Sequence, residues 1–332
     1  MEDCNLEPDF NISLEGFNTA EEANEIGNLV LTATKALAEQ HNMNISKLKA
    51  IVISYDFGTA LQRVTSSYNH KSSSSFTDSK QGTAVGQLVS KIGSNGLCNE
   101  YTLVLSANFF VELFNDEGKV SVKEEGIRAV IHRIHHELVH VHEKNTLTCL
   151  DQSLSVNDYG EALLISATKA WSEYLANFMS SRSAPQEIVD DFLDNLKTVI
   201  IEVPNEIDTF IWNYKNHITP LDIMFFEVKK RIKLIINSYG YAIGYVHALN
   251  INLEIYFPEL AATLSDSKLK NSLADLSNAF ENLMEKYKSD NIEGYSDFRD
   301  ITVAVDSIFK VFGLTLECPD WSNESSLYVH VI

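Results

Sequence analysis

In the stretch IHHELVH, residues 134–140, His136 and His140 flank Glu137. On a helix, positions four apart lie about 40° from each other around the axis and one turn apart along it. Both imidazoles then leave the same face and can hold one metal ion, with Glu137 in reach of a water beside it. Imidazole nitrogens suit Zn²⁺, which makes a bound water acidic near neutral pH, and a neighbouring carboxylate is the natural proton acceptor.

The local sequence also offers a plainer reading. Five of the chain's ten histidines fall between 132 and 142, so an amphipathic, histidine-rich helix without metal would carry the same letters. His132, one turn before His136, is the most credible extra participant, as a support for a ligand rather than a ligand itself; His135 and His142 are weaker ones.

A catalytic zinc usually has three protein ligands and one open position. The continuation HExxHxxGxxH is absent, because Glu143 and Thr146 occupy its glycine and third histidine positions. The alternative is a carboxylate from a following helix. The segment AWSEYLANFMS supplies Glu173, 33 residues beyond His140, which leaves room for a loop and a returning helix. Asp151, Asp158 and Glu161 are rivals, and Glu173 is preferred for its apolar neighbours Trp171, Tyr174, Leu175 and Phe178.

With HExxH at 136–140 and Glu173, Ala176 and Asn177 forming an ExxAN second motif, residues 18–182 resemble the zincin metallopeptidases, and among them the glutamate-zincins. The resemblance implies one zinc ion per chain on His136, His140 and Glu173, with Glu137 as general base. It places Asn177 where the family carries an aspartate that bonds a zinc histidine; an amide carbonyl accepts that bond without a charge. It also implies an edge strand just before the active helix, on which an extended peptide substrate pairs. TLVLSANFF holds that place, which makes Thr102, Leu103, Val104 and Leu105 the expected substrate strand. Acyl-group hydrolysis further needs a donor for the oxyanion. Tyr241, Tyr245 and His247 in NSYGYAIGYVHALN are the candidates, and Gly240 and Gly244 would admit a neighbouring backbone.

The elements that must position these groups follow from periodicity. A helix starts near Asn18 or Thr19, either of which can cap it, with Glu21 and Glu22 in its first turn. Strand-like runs follow at KLKAIVISYDF, TAVGQLVSKI and EYTLVLS, with a polar, serine-rich loop over 66–82. The histidine helix is expected to begin at Ser121 with Glu124 completing a capping box, and to bury Ile127, Val130, Ile131, Ile134, Leu138 and Val141. Another helix should cover Tyr159 to Ser181. Beyond Pro185 the pattern is helical, roughly six helices by period, and SSLYVHVI ends the chain as a strand that could return to the first sheet. The fold class is α+β: a zincin-like core over 1–182, with a small mixed sheet and active-site helices, then a mostly α-helical subdomain over 183–332.

Composition narrows the function classes. A net charge of −20 on 332 residues opposes phosphate backbones, so nucleic acid is not an expected partner. No apolar run reaches a membrane span, and MEDCNLEPDF has neither the basic nor the apolar part of a signal peptide. The four cysteines form no CxxC pair, and a cytosolic location is expected. A peptide or protein is the expected substrate, and the oligomeric state is open. Two further classes fit the letters: an inactive zincin-fold binding or regulatory module with structural metal, and a metal-free acidic interaction protein.

Overall fold

The computed structural model describes residues 10–68, 78–79, 82–83, 85–94, 97–115, 120, 123–150, 157–318 and 327–332. Among them the fold is mixed α+β, with eleven α-helices and one four-stranded sheet. Two compact units divide the chain: 1–153 with 182–185, and 154–181 with 186–332. No helix among the described residues is long and apolar enough to cross a membrane.

In the first unit, β1 (Asn11–Glu15) leads into α1 (Ala20–Gln40). Thr19 caps α1 by accepting the Glu22 amide at 3.1 Å, a contact worth about 1 kcal/mol. Strand β2 (Leu48–Ser54) follows, then α2 (Phe57–Ser67), capped by Asp56. After a two-residue pair, β3 (Asp78–Ser79) and β4 (Gly82–Thr83), come β5 (Gly86–Ile92) and β6 (Cys98–Ser106). The sheet order is β1-β2-β6-β5, with β5 alone antiparallel to its neighbour. One face packs Val52, Val89 and Val104 against α2.

This order corrects the substrate strand. Thr102, Leu103, Val104 and Leu105 lie in β6, between β2 and β5, and all four are buried. An interior strand has both sides hydrogen-bonded already and cannot take a further peptide; the edge beside it is β5.

A 3₁₀ turn, Ala107–Leu113, then delivers the chain to α3 (Glu124–Thr146). The helix begins at Glu124, after Lys123, so the expected start at Ser121 is corrected; Ser121 itself lies outside the described residues. Its first turn is stabilised by the charges of Glu124 and Glu125 at the positive end of the helix dipole. Two contacts fix α3 against the 3₁₀ turn. Gly126 must be glycine, since a Cβ there would sit 2.5 Å from the Glu112 carbonyl oxygen. Arg133 donates to the Phe109 carbonyl at 2.7 Å and pairs with Glu112. The buried stripe includes Val130, Ile134, Leu138 and Val141.

In the second unit, α4 (Asp158–Gly160) runs into a π-helical stretch, Glu161–Ile165, and then α5 (Ser166–Ser180). The long helices α6 (Gln186–Lys215) and α7 (Leu221–Leu249) follow, then α8 (Leu253–Tyr256), α9 (Pro258–Asp266), α10 (Lys270–Lys288) and α11 (Arg299–Val311). Thus six α-helices follow Pro185 among the described residues, the number that the periodicity predicts. Helix α5 packs on α7 at backbone distance: a Cβ on Gly240 would stand 2.6 Å from the Ala170 carbonyl oxygen, and one on Gly244 2.6 Å from that of Tyr174. Strand β7 (Leu314–Glu317) pairs antiparallel with β8 (Tyr328–Val331). The last strand therefore closes a two-stranded ribbon in its own unit and does not return to the first sheet.

Candidate metal centre

His136 and His140, one turn apart on α3, turn their Nε2 atoms toward each other at 3.2 Å, with rings nearly perpendicular at 84°. Two nitrogens each about 2.05 Å from one tetrahedral zinc would stand about 3.3 Å apart. The pair is therefore spaced as two ligands of one ion. Glu173 lies on α5, half-buried, with its Oε2 screened from solvent. His136 and His140 belong to the first unit and Glu173 to the second. Two imidazoles and one carboxylate are a donor set that zinc accepts.

Two of the rival carboxylates are placed otherwise. Asp158 is exposed at the start of α4. Glu161 pairs with both Lys229 and Lys233, which hold its carboxyl below the usual range against the upward push of burial. Asp151 lies outside the described residues.

The other three helix histidines bond elsewhere. His132 and His135, both buried, place Nδ1 at 3.2 and 2.9 Å from the Ser183 hydroxyl. Burial, with His41 and His136 nearby, lowers His135 to about 3, so its ring is neutral. His142 accepts the Asn44 amide on Nδ1 at 2.8 Å. The HExxH spacing singles out the facing pair, and the bonding partners of the other three rings show what they do instead.

Glu137 is beside the pair, and its carboxylate rests on β5: a Cβ added to Gly86 would be 2.7 Å from Glu137 Oε1 and 2.9 Å from its Cδ. Glu143, overlooked except as a departure from a histidine motif, is buried, with Oε2 3.8 Å from His140 Nδ1. Its signal in the sequence was its place three residues after His140, on the same helical face.

Asn177 is fully buried and donates its amide to the Tyr241 carbonyl at 2.9 Å. Tyr245 is fully buried and packs on Phe192, and burial pushes its phenol far above the ordinary range. Tyr241 is half-buried and stacks on the same Phe192 at 5.2 Å. His247 has Tyr174 Oη at 3.0 Å from Nδ1 and Ser277 Oγ at 3.1 Å from Nε2. These contacts give Tyr245 and His247 work inside the helical unit; Tyr241 keeps partial exposure.

No protein-family model, curated protein or solved structure matches this chain.

Proposed function

We propose that this chain is a zinc-dependent hydrolase that cleaves peptide bonds on the zincin plan, with one ion held by His136, His140 and Glu173. The observation that carries the reading is the facing Nε2 pair at 3.2 Å on α3; the sequence pattern HExxH followed by ExxAN names Glu173 as the third ligand. Bound there, zinc would supply an acidified water and polarise the carbonyl under attack. Glu137 takes the proton of the attacking water and passes it to the leaving amine, a role worth about 10²–10⁴ in rate.

The substrate strand of this reading is β5. Ser106 N–H donates to the Val85 carbonyl at 2.7 Å, and Gly86 stands opposite Leu105. Opposed residues in an antiparallel ladder alternate between bonded and non-bonded pairs. Val85 and Ser106 are the bonded pair, so Gly86 and Leu88 direct their N–H and C=O groups outward, where the sheet has no further strand among the described residues. An extended peptide can add there by main-chain bonds, which brings its backbone alongside Glu137.

Metal analysis of untagged protein, paired with cleavage of a mixed peptide set with and without chelator, tests the proposal. Glu137→Gln should keep its zinc and lose cleavage by about 10²–10⁴-fold. Substoichiometric zinc that stays so after incubation with the metal would refute it. Equal cleavage by the variant would remove Glu137 from the chemistry.

A further inference from the structure

We propose that Glu143 is the positioning carboxylate of the metal centre: it holds the His140 ring so that Nε2 faces the ion and Nδ1 carries the proton. The inference rests on the zinc reading above and adds a residue to it.

His140 has two distinct ring nitrogens, and the contacts on each are of different kinds. Nε2 faces His136 Nε2 at 3.2 Å. Nδ1 has Glu143 Oε2 at 3.8 Å, within ion-pair reach; in this proposal the two close to hydrogen-bond length when the ion binds. Neutral imidazole has one donor nitrogen and one acceptor. A carboxylate beside Nδ1 selects the tautomer with the proton there and leaves the Nε2 lone pair for a cation. The opposite tautomer would set a lone pair against a carboxylate and an N–H against the ion.

Glu143 is also placed where its charge counts. Its side chain is only 4% exposed, and a carboxylate out of water acts through a lower dielectric than one on the surface. It belongs to the same helix as the ligand, three residues on, so the backbone of α3 fixes the distance. Asn177, the residue that the second motif offers for such a role, is uncharged and already gives its amide to Tyr241. Asn177 brings no negative charge, and Glu143 brings one from the histidine helix itself.

The test measures zinc affinity by chelator competition on the full chain, together with the apo-protein melting temperature and the His140 Nδ1–H proton resonance in the zinc-loaded form. Glu143→Leu should weaken zinc by about 10–100-fold, the range for loss of such partners, and remove the downfield position of that resonance. Glu143→Gln, which can still accept the bond, should lose less affinity and keep part of the shift. Wild-type affinity in Glu143→Leu overturns the inference. So does weakened affinity with an unmoved resonance and a lowered apo melting point, which would make Glu143 a packing residue. A wild-type chain that takes up no zinc overturns the metal reading first, and this one with it.

Discussion

Gly86→Ala separates stability from catalysis at this centre. The new Cβ would lie 2.7 Å from Glu137 Oε1, 2.9 Å from Cδ and 3.1 Å from Leu105 Cδ2. Ordinary contact is about 3.4 Å or more, so the carboxylate must retreat by roughly 0.7 Å. The displaced atoms are the end of a flexible side chain, so the fold should hardly register the change. Replacing glycine also restricts the unfolded chain, an effect of about 0.4–1 kcal/mol in the opposite direction. The melting temperature should thus move by a few degrees at most. On the proposed mechanism catalysis is less forgiving, because Glu137, displaced as general base by the better part of an ångström, would lose about 10–100-fold, which is about 1.4–2.8 kcal/mol of transition-state stabilisation. Steady-state cleavage should show the loss in kcat with KM changed little, and metal analysis should find zinc unchanged, since neither His136 nor His140 is touched. In a Glu137→Gln background the same substitution should cost nothing further. Full activity in Gly86→Ala, or a second loss of equal size in the Gln background, would refute the contact as the means by which β5 places the base.

Gly240→Ala puts a Cβ 2.6 Å from a backbone oxygen rather than a mobile side chain, so it should cost about 1–3 kcal/mol, read as a lower midpoint in urea. His247 has its pKa lowered from 6.5 by burial, which outweighs the opposing pull of Glu281. The unfolded chain then binds the extra proton more readily, so His247's contribution is whole above about pH 6.5 and is lost as pH falls toward the folded pKa. His247→Gln should flatten that part of the stability profile in chemical denaturation between neutral and mildly acid pH. Trp171→Ala empties a fully buried site ringed by Tyr174, Phe280 and Phe298 and should cost about 3–5 kcal/mol, measured by the same denaturation.

Helical features were the most legible in the sequence, because their neighbours are three and four residues away. The facing pair at 136 and 140, the Thr19 cap and the close approach at Gly240 and Gly244 all follow from local spacing. Strand order did not, since pairing partners are far apart in the chain. TLVLS and GQLVS both read as strands, yet only the unbroken apolar run of the first marks a strand covered on both faces. That distinction puts β6 inside and β5 at the edge, and it was passed over in favour of position in the family plan. The strand Asn11–Glu15 was missed because NISLE is short and mostly polar. The roles of His132, His135 and His142 depend on Ser183 and Asn44, tens of residues away, and no helical period encodes them.

The π-helical stretch Glu161–Ile165 acts as a spacer that indexes α5. A wide turn holds one residue more than α-helical winding would, and one residue is about 100° of rotation. At its first residue, Glu161 is tied to Lys229 and Lys233; downstream, Ala170 and Tyr174 are seated on Gly240 and Gly244. Deleting a single residue from 162–165 would let the helix wind regularly, but the two anchorages on α7 would then fall out of phase by about that 100°. One would have to be given up. If it were the glycine seat, every side chain of α5, Glu173 among them, would swing to another azimuth about the helix axis, so a one-residue shortening would re-aim the whole helix.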